Sequence, residues 1–208
     1  MTHETTEPSA GLRERKKAEA KRALVAAALE LFGQRGFDAV TVDEIAARAN
    51  VSRRTYFRYF PTKEAVVMAR RRDQLDALKD GLALAPTSAS VRDAVRGPLL
   101  ELARDYEANK RRILSERQLF ASSPALTLAD LDLDRAFERE VATWLSPRIG
   151  KGEAARKRAR MFAAALIAVL RVAIEDWADA RGKVSLESLG DEAVDAVLAL
   201  ALTKGGSR

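Results

Sequence analysis

Three arginines and one aromatic ring fall close together at Arg53, Arg54, Phe57 and Arg58. Guanidinium forks match the O6/N7 edge of guanine and phosphate oxygens, and an aromatic edge can touch a thymine methyl. The other groups able to do chemistry are carboxylates, Asp130, Asp132 and Asp134, then Glu175, Asp176 and Asp179. The spacing of the first set lacks the glycine and terminal glutamate of a calcium loop. On a helix these carboxylates point in different directions, so a solvated face or a helix-dipole partner explains them better than a catalytic pair. Cysteine is absent, and the single histidine is His3 in a polar start. Cysteine nucleophiles, thiolate metal sites, histidine-based triads and His-ligated zinc therefore lack their residues. No catalytic residue, metal site or cofactor is expected.

Charge places the arginines in context. The 208 residues carry 36 basic and 30 acidic side chains, net +6. Residues 11–63 hold 12 basic and 6 acidic groups, whereas residues 64–208 are nearly balanced at 24 and 22. A basic N-terminal quarter on a near-neutral remainder is the footprint of a segment that meets a polyanion. A solvated basic helix face is the plainer alternative. The first ten residues are acidic and polar, unlike a signal peptide. The longest apolar run, residues 161–170, is well short of the ~18 needed to span a bilayer. A cytoplasmic chain is expected, and the absence of cysteine agrees with a reducing compartment.

Positioning these residues takes helices. Alanine, the best helix former, occurs 39 times. Apolar residues recur at helical spacing over residues 12–32, and Gly33 and Gly36 bracket the end. Thr41 with Glu44 three residues on is a capping box that opens a second helix. Asn50 suits the left-handed turn that follows. Ser52 caps a third helix over residues 53–60, and Thr62 caps a fourth that is expected to run to about residue 82. Further helices are expected near residues 90–108, 110–121, 125–146, 152–181 and 187–203, with Pro98 kinking or dividing the first of these. No β alternation is sustained, so the fold class is all-α with about nine helices.

Residues 41–60 thus form two short helices joined by a tight turn, the helix-turn-helix pattern. Tyr56 and Phe60 face inward with Val51 and Ile45. Arg53 and Phe57 lie outside beside Arg54 and Arg58. The helix start at Ser52 can receive a phosphate.

GFDAVTVDEIA from Gly36 and ANVSRRTYFRYFPTKE from Ala49 to Glu64 resemble the DNA-binding domain of TetR-family transcriptional regulators across about residues 18–68. The resemblance implies a three-helix DNA-binding domain at 11–63 and a larger helical effector-binding and dimerisation domain at 64–208. It implies that Arg53, Arg54 and Thr55 reach base edges or nearby phosphates, that Tyr59 and Lys63 hold phosphates, and that Thr41 stands at the capped start of the second helix. Phe57 replaces a frequent tyrosine and removes its hydroxyl bond to phosphate. Asn50 replaces a frequent glycine.

One helix-turn-helix reads only a half-site, so a homodimer on near-palindromic double-stranded DNA is expected. The last two helices are the candidate interface, through Ala163, Leu166, Ile167, Leu170, Val172, Ala173 and Ile174, and then Val194, Val197, Leu198, Ala201 and Leu202. Between about 85 and 180, bundle helices offer room for a small apolar or amphipathic effector. Tyr106, Phe120, Phe137, Trp144, Phe162 and Trp177 are candidate linings. Arg117 and Arg171 could meet an acidic group, although pairing with Glu116 or Glu175 explains them more simply. Together these features describe a ligand-responsive regulator, with repression the expected mode. A non-specific or architectural nucleic-acid binder is the alternative.

Overall fold

The computed structural model describes residues 9–86 and 88–202, with side chains over 14–199 except Thr87. Its ten α-helices are α1 Ser9–Arg35, α2 Val42–Arg48, α3 Arg53–Tyr59, α4 Lys63–Val67, α5 Ala69–Leu84, α6 Val91–Ala108, α7 Lys110–Ser122, α8 Pro124–Leu145, α9 Gly152–Asp179 and α10 Leu186–Leu202. A single 3-10 turn, Ser146–Arg148, follows α8. No strand occurs among the described residues, and no described helix is long and apolar enough to cross a membrane. His3 lies outside the described residues.

The expected fourth helix divides at Met68, whose N–H still donates to the Glu64 carbonyl while its backbone leaves helical geometry. Ala65, Val66, Val67, Met68 and Ala69 are all buried. Five consecutive buried residues cannot share one helical stripe, so packing rather than periodicity sets the chain direction there. Pro98, expected to kink or divide its helix, sits inside an unbroken α6. It faces Gly81 on α5, where an added Cβ would stand 2.8 Å from the Pro98 ring. The missing side chain at residue 81 makes the room for that ring.

The chain forms two compact units. One runs to Ala69 and adds Gln118–Ala129; the other comprises Arg70–Arg117 and Asp130 onward. In the first, Leu24, Phe32, Phe37, Ile45, Tyr56 and Phe60 are buried, with ring centroids 5.1 Å apart for Phe32 and Phe37 and 5.8 Å apart for Tyr56 and Phe60. Each such side chain contributes roughly 1.5–3 kcal/mol of burial. The second unit has two cores. Val95, Val141, Trp144, Leu145, Leu166 and Val194 form one. Tyr106, Ile113, Trp177 and Leu186 form the other, with an edge-on Tyr106–Trp177 contact at 5.7 Å.

Candidate nucleic-acid interface and internal cavity

The two short helices are fixed by their caps. Glu44 N–H donates to Thr41 Oγ1 at 3.3 Å, and the Thr41 N–H and hydroxyl both donate to Glu44 Oε2 at 2.8 Å. Arg35 donates to the other Glu44 oxygen at 2.7 Å. These donors, Arg35 foremost and then the Thr41 backbone, hold the Glu44 carboxyl down to about 2. α2 ends in a Schellman motif. Val51 N–H donates to Ala46 O at 2.9 Å and Asn50 N–H to Ala47 O at 3.0 Å, with Asn50 at φ +54°. Ser52 Oγ then accepts the Thr55 N–H at 3.1 Å and starts α3.

That turn sorts α3 into two faces. Tyr56 and Phe60 are buried, and the Tyr56 hydroxyl donates to Thr62 O at 3.1 Å. Burial, aided by the charge of Glu64, pushes the Tyr56 phenol well above its ordinary range. Outside, Phe57 is 42% exposed with the Arg53 guanidinium 5.3 Å from its ring. Arg53 donates to Asp43 at 2.5 Å. Arg58 lies 5.0 Å from the Tyr59 ring. Arg54 is exposed and has no polar partner among the described residues. Lys63 behaves differently. Its Nζ donates to Phe37 O at 2.8 Å and Val40 O at 3.0 Å and sits 4.2 Å from the Phe37 ring. One N–H remains for any other acceptor. In the basic approach, Arg15, Lys16 and Lys17 are exposed, and the Arg13 side chain lies outside the described residues.

The second unit carries a half-open cavity of about 1010 Å³, at the top of the usual range for ligand sites, about 300–1,000 Å³. Leu78, Leu99, Leu102, Val141, Leu166 and Ile167 give it an apolar wall. Tyr106, Arg117, Phe137 and Arg171 line it as well. Phe120, Trp144, Phe162 and Trp177 are not on that wall. Phe120, Trp144 and Trp177 are buried, and Phe162 packs against the core around Trp144.

Polar groups on the wall depart from expectation. Asp130 and Asp134, expected on a solvated face, both accept from Arg71. Arg71 is tethered further by Phe137, 5.5 Å from its guanidinium. Arg70 donates to Glu116 at 2.9 Å and Asp105 at 3.3 Å. Glu116 is thus taken by Arg70 and Arg112, not by Arg117. Arg171 does pair with Glu175, at 3.7 Å, and equally with Asp134. Sequence reasoning missed Arg70 and Arg71 because their partners stand 35 to 63 positions away. Among the described residues no group of three His, Cys, Asp or Glu could hold a metal.

A capped helix-turn-helix with an outward basic face defines a DNA-binding class of protein. Residues 24–69 match the family model described as bacterial regulatory proteins, tetR family. Residues 24–69 thus carry the DNA-binding domain of TetR-family transcriptional regulators. It is 28% identical to the HTH-type transcriptional regulator TcmR of Streptomyces glaucescens, over 86% of this chain and 81% of that one. The fold matches Thermus thermophilus FadR, a TetR-family repressor solved with lauroyl-CoA (24% identity, 90% and 96% coverage, TM-score 0.55). It also matches SmeT in its triclosan complex (16% identity, 87% and 90% coverage, TM-score 0.63).

Proposed function

We propose that the protein is a homodimeric repressor that leaves a near-palindromic operator when a small apolar or amphipathic effector fills the cavity. The observation that carries this reading is α3, with Tyr56 and Phe60 anchored and Arg53, Arg54, Phe57 and Arg58 on the solvent side. Residues 11–63 form the DNA-binding domain and residues 64–208 the effector and dimer domain. Arg53, Arg54, Thr55 and Phe57 read bases. Ser52, Arg58, Tyr59 and Lys63 hold phosphates, and Thr41 sets the start of α2. The effector reading draws on the 1010 Å³ cavity and on the lauroyl-CoA and triclosan complexes of FadR and SmeT.

Dimerisation is assigned to α9 and α10. Ala163, Leu166, Ala173, Val194 and Val197 are buried within the chain, and Ile167, Leu170, Ile174 and Leu198 are half-buried. Ala201 and Leu202 have side chains outside the described residues. Over residues 161–172 the exposed apolar residues of α9 are Met161, Ala164, Ala168 and Val172, at helical spacing, and this is the face assigned to the partner.

Fluorescence anisotropy with DNA from the gene's own upstream region, against scrambled DNA, at two salt concentrations tests the reading. A specific complex that survives the higher salt is expected. Equal, salt-sensitive binding to both DNAs would favour the non-specific binder instead.

A further inference from the structure

We propose that the effector is an acid: an apolar body that ends in a carboxylate, seated on Arg117. This rests on the reading of the cavity as the effector site and adds the chemistry of the head group. Donors and acceptors on one wall of the cavity are unequally matched. Asp130 and Asp134 are taken by Arg71, Glu175 by Arg171, and Asp105 by Arg70 and Gln74. Glu101 accepts from Arg104 and Asp93 from Ser90, and Asp73 also has a partner. Every carboxylate on the wall is therefore served.

The donors are not. Arg117 lines the cavity half-buried and has no hydrogen bond or ion pair with any described residue. Arg71, also on the wall, is no second seat: its two terminal nitrogens are paired, and its Nε, though without an acceptor, has no surface open to the cavity. A buried donor without an acceptor is costly, and a guanidinium is best matched by a two-oxygen anion. A cationic head would find no open carboxylate and would face Arg117. A neutral apolar molecule would fill the volume and leave Arg117 unmatched. The apolar wall from Leu78 to Ile167 takes the body of the molecule.

The test uses the full chain and the uncharged fluorophore N-phenyl-1-naphthylamine, displaced by decanoate or by decanol at about pH 8, where a carboxylic acid is ionised. Decanoate is expected to compete at least about tenfold more effectively than decanol, as charge-assisted hydrogen bonds imply. Arg117→Gln is expected to abolish that preference and leave decanol unchanged, while Arg117→Lys keeps most of it. Equal potency of the two competitors on the unaltered protein overturns the acid assignment and leaves the cavity as a ligand site. So does a preference that survives Arg117→Gln. Failure of the fluorophore to bind at all removes the cavity reading, and this proposal with it.

Discussion

At Arg53 the guanidinium is 59% exposed, tied to Asp43 and lying over Phe57. Nothing in the core depends on it. Arg53→Ala is expected to relax discrimination at one base pair by about 1–3 kcal/mol with no change in unfolding. Lys63 carries the same charge but donates it inward, to the carbonyls of Phe37 and Val40. Lys63→Ala is expected to weaken binding to all DNA sequences alike, lower the salt slope by about 1, and also lower the urea midpoint. Binding titrations on the operator and on single-base variants, paired with urea unfolding, separate the two; an unchanged midpoint in Lys63→Ala would show that the inward bonds carry no stability. Glu44 adds a pH dependence. Its folded carboxyl is lowered from 4.5 to about 2 by Arg35 and Thr41. The stability it contributes is therefore complete above about 4.5 and is lost as pH falls towards about 2. Urea midpoints across that window should fall less steeply for Glu44→Gln than for the unaltered chain.

Helix ends test the reading of elements. α2 and α9 both close with Schellman bonds, and both place a non-glycine residue in the left-handed region, Asn50 at φ +54° and Arg181 at φ +52°. Asparagine tolerates that geometry and arginine does not, so Arg181→Gly is expected to raise stability by about 0.5–1 kcal/mol. Asn50→Gly should gain less. Equal gains in thermal or urea unfolding would contradict the argument. Gly182 does take a positive φ, but the left-handed cap is Arg181. Caps and periodicity made the helices, the inward Tyr56 and Phe60, and the outward arginines legible, because those are local properties. Two things escaped. Met68 breaks a helix that no local residue terminates. The ion pairs of Arg70 and Arg71, and the solitary Arg117, depend on which distant elements meet, and neither periodicity nor spacing carries that information.

For the whole molecule, the proposed dimer makes a demand that a monomeric fold does not. Met161 is 63% exposed and Val172 49% exposed on α9. Met161→Glu would place a charge in the assigned interface without touching a core residue. It is expected to halve the mass in sedimentation, leave the helical circular dichroism signal intact, and weaken operator binding as two half-sites become one. A dimer that persists in this variant would move the interface elsewhere. If effector and operator are antagonists, operator DNA must also weaken the effector by the same factor by which the effector weakens DNA. Titrating the effector with and without operator checks that reciprocity.

The start of α5 has a further consequence. Its first turn holds Arg70, Arg71 and Arg72 and no acidic residue, so three cations sit at the positive end of the helix dipole. Carboxylates from α6, α7 and α8 neutralise two of them. That turn is therefore upheld by other elements, and a peptide of residues 69–84 alone would not begin its helix there. Amide hydrogen exchange makes the dependence visible. Asp134→Asn should speed exchange over residues 70–74 and leave residues 78–84 protected. Uniform exchange along α5 in that variant would mean that the turn holds itself. If the contrast is found, the helix that leaves the DNA-binding unit starts from an end whose order is held from a distance.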